Sequence, residues 1–166
     1  KSMIDDYVSV ISQTTKSQIT GLRYFNVYGP FEESKGKMSS VLNQFKKQID
    51  TTGTIKIFEN SQAYKRDFIF VNDIVKINKH FYESGHSGIF NCGTGQAERF
   101  TEIPRVLKKY YEFDIIEIPM PQTLIGKYQE FTESDTANLR GFGEYKEGFL
   151  SLEQGIEEYV KYWEKE

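Results

Sequence analysis

Residues 19–28, ITGLRYFNVY, alternate apolar side chains onto both faces, and Gly29-Pro30 stops the run. Successive strand residues point to opposite sides, so such a segment must be covered both above and below. That is the situation of a strand inside a parallel sheet flanked by helices, which directs the chain toward the α/β class.

The flanking sequence agrees. In 2–13, SMIDDYVSVISQ, the residues Met3, Ile4, Tyr7, Val8 and Ile11 recur at helical spacing, with two aspartates near the N-terminal end, where the helix dipole favours them. FEESKGK reads as a polar loop and 41–49 as a helix. Strands are expected at 55–58 and 67–71, and Asn72 is placed to cap a helix over 73–84 with an apolar stripe of Ile74, Ile77, Phe81 and Tyr82. SGIFNCGTG, 87–95, is a buried strand running into a glycine turn. A helix over 101–112, a strand over 115–119, a loop TLIGKYQEF, a short helix stopping at Gly141 and an amphipathic helix over 151–163 complete the chain. Helices alternate with strands throughout, without internal repeats or low-complexity segments. Yet only one or two other strands here suit the sheet of 19–28. That strand therefore predicts sheet partners in an N-terminal half outside this sequence, which opens on Lys1 rather than Met.

Composition narrows the function classes. The chain has 166 residues, within the roughly 100–200 of a single domain. Lys+Arg 21 against Asp+Glu 24 gives a net charge of -3, and a scattered acidic balance has no reason to follow a phosphate backbone. Apolar content of 38%, with 15% aromatic, supports a packed core. No apolar run approaches the ~20 residues of a membrane span. Cys92 is the single cysteine, so no internal disulfide forms and a reducing compartment, the cytoplasm, is expected. Two scattered histidines with that cysteine give no metal-binding spacing.

RYFNVYGP, then KRDFIFVNDIV, then IFNCGTG is a specific constellation. It resembles the C-terminal half of the extended short-chain dehydrogenase/reductases that act on nucleotide sugars, the NAD-dependent epimerase/dehydratase group. NVYGPFEESKGKMSSV, KIFENSQAYKRDF, CGTGQAERF and KYQEFTESDTANLR are similar, within that group, to the ADP-heptose 6-epimerase branch, a likeness running from Lys1 to near the end. The resemblance implies the C-terminal part of a doubly wound NAD(P)-binding Rossmann domain plus a small α/β substrate-binding domain. On this division residues 1–30 and 72–100 belong to the cofactor domain, and 31–71 and 101–166 to the sugar-nucleotide domain. Lys1 aligns with the lysine of a Tyr-x-x-x-Lys motif, whose tyrosine would lie four residues upstream. The glycine-rich cofactor fingerprint would also be upstream, so the piece alone is expected to be inactive.

The resemblance implies inversion at C6 of the heptose of ADP-D-glycero-D-manno-heptose, through a 6-keto sugar, with NADP (or NAD) as the cofactor. That carbon carries no acidic hydrogen, so oxidation and re-reduction replace direct deprotonation. The implied acid/base is Lys35, and a lysine serves as a base only with its pKa brought down from about 10.4 by burial or a nearby cation. Lys1, Val27 and Lys35 are the implied cofactor contacts. Asn26, Lys37, Gln44, Phe58, Glu59, Asn60, Ser61, Arg66 and Tyr128 are the implied substrate contacts, with Arg66 gripping a diphosphate or stacking on the base. Lys37, Gln44 and Asn60 depart from the more usual Ser, His and Gly. A homo-oligomer and a role in lipopolysaccharide core synthesis are further implications.

Read without the resemblance, each residue also has an ordinary explanation. Lys35 suits a solvated loop, Asn26 a turn before Gly-Pro, Arg66 a surface pair with Asp67, and Phe58 and Tyr128 packing. Cys92-Gly-Thr-Gly lacks the Walker lysine spacing, and Cys92 reads as a buried packing residue. A UDP- or dTDP-sugar 4-epimerase, a 4,6-dehydratase and a non-catalytic sugar-nucleotide-binding module are the rival readings.

Overall fold

The structure, a computed structural model, describes residues 2–165. Helix α1 (Ser2–Thr14) lies against a parallel pair formed by β1 (Thr20–Tyr24) and β5 (Gly88–Cys92), with Thr20 opposite Gly88 and Tyr24 opposite Cys92. Arg23 ties the two elements together through an ion pair to Asp5 at 2.9 Å. Val8 and Ile11 are half-buried, whereas Met3, Ile4, Tyr7 and Val10 are exposed, so most of the stripe expected on this helix faces outward.

The segment 19–28 is not one strand. The Phe25 amide donates to the Cys92 carbonyl (3.1 Å) and the Val27 amide to the Phe25 carbonyl (2.9 Å), a tight turn that takes the chain off β5. It continues as β2 (Asn26–Tyr28), parallel to β4 (Lys65–Phe70), which also pairs antiparallel with β6 (Ala97–Arg99). The strand β6 has no counterpart in the sequence reading. It is only three residues long, too short for an alternation to register. A third parallel pair joins β3 (Thr54–Phe58) to β7 (Asp114–Ile118).

Strand β4 now has the two-faced burial that the sequence suggested for 19–28. Phe68 and Phe70 point into one core with Tyr28, Leu42, Phe45, Ile103 and Ile156, while Ile69 points into a second with Ile77, Phe81, Phe90 and Leu139. The alternation follows from the two-residue period of a strand. The first core is closed by α2 (Val41–Thr52), α4 (Glu102–Leu107) and α6 (Leu152–Trp163), and the second by α3 (Val71–Ser84) and α5 (Ala137–Arg140).

Helix boundaries show where local signals were overruled. The cap of α3 is Phe70, not Asn72, because β4 passes directly into the helix and leaves Asn72 inside its first turn. Tyr82, assigned to the apolar stripe of α3, is 87% exposed, while Ile74, Ile77 and Phe81 are buried. Helix α4 ends at Leu107, short of the expected 112, and continues as turns. Among the described residues no helix is long and apolar enough to cross a membrane.

Candidate functional site

Strand β3, helix α2 and the 119–131 loop enclose a cavity of about 470 Å³. Val41, Phe45, Ile57 and Ile118 supply apolar walls, and Gln44, Phe58, Ser61, Tyr64, Phe100 and Tyr128 also line it. The Tyr128 ring meets Phe58 edge-on (centroids 6.1 Å apart) and Tyr64 at 5.1 Å, an aromatic box of the kind that takes a flat, partly polar ring. The Ser61 hydroxyl is buried in this wall without a hydrogen-bond partner. A buried hydroxyl in that state costs free energy unless something fills its hydrogen-bonding capacity.

Arg66 stands behind the box. Only 6% exposed, its guanidinium lies 5.1 Å from the Tyr128 ring centroid and 5.6 Å from that of Phe100, and donates to the Lys65 carbonyl at 2.9 Å. Burial pushes the Tyr128 hydroxyl up from its ordinary pKa, while the Arg66 charge and hydrogen bond pull it down. The surface pair with Asp67 is absent, because neighbouring strand residues point to opposite sides. Fully buried Asp67 instead accepts from the amides of Thr94 (2.8 Å), Gly95 (2.9 Å) and Ser134 (3.0 Å).

A smaller pocket of about 340 Å³ shares Tyr64 and Tyr128 and adds Glu59, Asn60, Met120 and Glu130. Asn60 holds a left-handed backbone (φ 61), which glycine adopts freely and asparagine more readily than most other residues. Asparagine therefore satisfies the turn geometry that a glycine would serve.

The loop after β2 leads into α2. Gly29, with φ 145, packs where a Cβ would meet Val71 Cγ1 at 2.5 Å, and Phe31 follows at φ 69. Residues Glu33–Met38, read as a plain loop, form a 3-10 segment leading into α2. Lys35 is 55% exposed and ion-paired with the buried Glu32 at 3.6 Å. Lys37 is exposed, and its carbonyl accepts from the Gln44 amide side chain at 3.3 Å. Asn26 accepts from the Thr132 hydroxyl at 3.4 Å at the exposed end of β2. Thus Gln44, Phe58, Ser61 and Tyr128 share one cavity and Glu59 and Asn60 the next, while Asn26, Val27, Lys35, Lys37 and Arg66 line neither. Lys1 lies outside the described residues.

Sequence reasoning overlooked Tyr64, whose only signal was an aromatic ring beside KRDF, Phe100, whose only signal was an aromatic ring closing CGTGQAERF, and Glu32, which carried none within a polar run.

Residues 1–93 match the NAD dependent epimerase/dehydratase family. The chain belongs to that family. Its parallel α/β architecture is the Rossmann-like fold of the NAD-binding epimerases. It is similar to the ADP-L-glycero-D-manno-heptose-6-epimerase of Helicobacter pylori, with 28% identity and a TM-score of 0.79 over 95% of this chain and 48% of that one. It is equally similar to the UDP-glucose 4-epimerase of Thermotoga maritima, solved with UDP-glucose, with 27% identity and a TM-score of 0.82 over 99% of this chain and 52% of that one. A UDP-N-acetylglucosamine 4-epimerase from Methanobrevibacter ruminantium, at 22% identity and a TM-score of 0.82 over 99% of this chain and 52% of that one, shares the fold. The chain spans about half the length of these structures.

Family membership implies a nicotinamide dinucleotide. The glycine turn at 93–95 does not fit its pyrophosphate, because the Asp67 carboxylate already occupies the amides of Thr94 and Gly95. Val27, the middle residue of β2, is half-buried beside the second core on a strand that lies at a sheet edge among the described residues.

Proposed function

We propose that this chain supplies the substrate half of an ADP-heptose 6-epimerase. The supporting observation is the aromatic cavity with the unpartnered Ser61 hydroxyl. The adenine ring lies in the cavity against Phe58 and Tyr128, with Ser61 and Gln44 hydrogen-bonding the nucleoside. Arg66 orients Tyr128 from behind and supplies positive charge toward the diphosphate. The sugar then extends toward Asn26, just past the C-terminal end of β1, the kind of strand end where open α/β sheets place ligands.

Val27 and Lys35 would hold the nicotinamide end of the cofactor, taken to be NADP. When bound, that group accepts a hydride from C6 and returns it to the opposite face. As the C6 hydride leaves, a base removes the hydroxyl proton and a 6-keto sugar forms; on its return an acid protonates the oxygen. Lys35 takes one of these roles, and the tyrosine of the motif aligned at Lys1 takes the other. The same reading carries a homo-oligomer and a role in lipopolysaccharide core synthesis.

In the native protein, Lys35→Met is expected to abolish nearly all epimerisation while cofactor stays bound; unimpaired turnover removes that assignment. Arg66→Ala is expected to weaken ADP binding about tenfold or more, read by calorimetry. Unchanged affinity would remove Arg66 from the nucleotide site.

The 27% identity to a UDP-glucose 4-epimerase favours a second reading, oxidation at C4 of a UDP-sugar. Parallel turnover assays with ADP-heptose and UDP-glucose separate the two.

A further inference from the structure

Glu32 is the most deeply buried acidic side chain in the 31–38 loop, 4% exposed in a segment otherwise open to solvent. Its carboxylate accepts from the Ser40 amide (3.1 Å) and the Ser40 hydroxyl (2.5 Å), and the Tyr159 hydroxyl of α6 lies 3.5 Å away. Ser40 is also the N-cap of α2, accepting from the Asn43 amide at 3.3 Å. The same carboxylate reaches the Lys35 ammonium at 3.6 Å, and the Lys35 amide donates to the Glu32 carbonyl at 3.0 Å. One side chain thus links two helices to one loop lysine.

We infer that Glu32 is the positioning residue for Lys35, restricting where its ammonium can stand; this rests on the acid/base reading of Lys35. An exposed pair of this length contributes little to stability. Its effect is geometric. A lysine stem has four rotatable bonds, and a restraint anchored in the core removes most of the places its head can occupy. Proton transfer needs the heavy atoms within hydrogen-bond reach, so a displacement of about 1 Å can lower turnover a hundredfold. Phe31 and Gly36, at φ 69 and 53, bracket the segment and hold the loop in the shape that brings the two side chains together.

The test is a double-mutant cycle in the native protein. Glu32→Gln is expected to lower kcat about tenfold or more with KM for the nucleotide sugar little changed. It is expected to have no further effect on the residual turnover of Lys35→Met, and Glu32→Asp to recover part of the rate. Amide hydrogen exchange across 33–38 should quicken in Glu32→Gln while α2 and α6 keep their protection. Equal loss in both lysine backgrounds, full activity of Glu32→Gln, or unchanged exchange in the loop would overturn the proposal while leaving Lys35 in place. If Lys35→Met itself turns over normally, the acid/base reading falls first and the positioning role with it. Should Glu32→Gln fail to fold, Glu32→Asp, which keeps the buried charge but withdraws it by one methylene, passes through the same cycle with the same criteria.

Discussion

Gly93 shows how single residues carry the frame of the site. A Cβ there would stand 2.6 Å from Asp67 Oδ2 and 2.6 Å from Ser134 Cβ, so no side chain fits between the turn and the late loop. Gly93→Ala is expected to destabilise the fold by about 1–3 kcal/mol, seen in urea unfolding as a lower midpoint at unchanged slope. Cys92, fully buried in the second core, has its thiol pushed up to about 12 by burial. Native protein at pH 8 should therefore resist iodoacetamide and react only in denaturant; rapid native labelling would mean that the core between β5 and α5 opens. Residue identities alone made Cys92 legible as packing, but not the contrast between Arg66 and Asp67. Both are polar neighbours in KRDF, and only the strand's alternation sends one to the ring faces and the other to the turn amides.

At the scale of elements, α6 was legible almost to the residue. Ser151 accepts from the Gln154 amide and Gln154 answers at the Ser151 amide, a local capping box that needs no tertiary partner. Ser151→Ala is expected to cost about 1 kcal/mol in thermal or urea unfolding. The same helix presents Gly155 to Tyr28, whose hydroxyl would overlap any added Cβ, so a residue of poor helix propensity is kept for close packing against β2. The 19–28 segment was less legible. Its apolar pattern cannot register a two-residue turn that moves the chain from β5 to β4, since both halves remain strand and only their hydrogen-bond partners change. Likewise the stripe on α1 gives the helix but not what covers it, because amphipathicity fixes a period and not a partner.

Across the whole molecule, buried tyrosines couple stability to alkaline pH. Burial pushes Tyr111 and Tyr145 up to about 12, and raises Tyr28 and Tyr159 further, with the Asp73 and Glu32 charges adding to these last two. Below the unfolded value of about 10 both states keep these protons and stability is unaffected. Between that value and the folded ones the unfolded chain binds fewer protons, so stability falls as pH rises. Unfolding free energy should hold steady to about pH 9 and decline above 10, with the ring resonances of Tyr28 and Tyr159 keeping their protonated shifts until the chain unfolds; ionisation of either at pH 11 in a still-folded protein would contradict this. By itself the sequence determined the α/β class, the order of nearly all helices and strands, and the motifs of an epimerase/dehydratase relative, because strand and helix periods, caps and glycine turns are local quantities. The tertiary structure alone decided that three separated segments, carrying Gln44, Phe58 with Ser61, and Tyr128, wall one cavity, and that Glu32 is buried within a polar loop. Those are facts of chain crossing and burial, which depend on residues far apart in sequence and leave no local pattern to read.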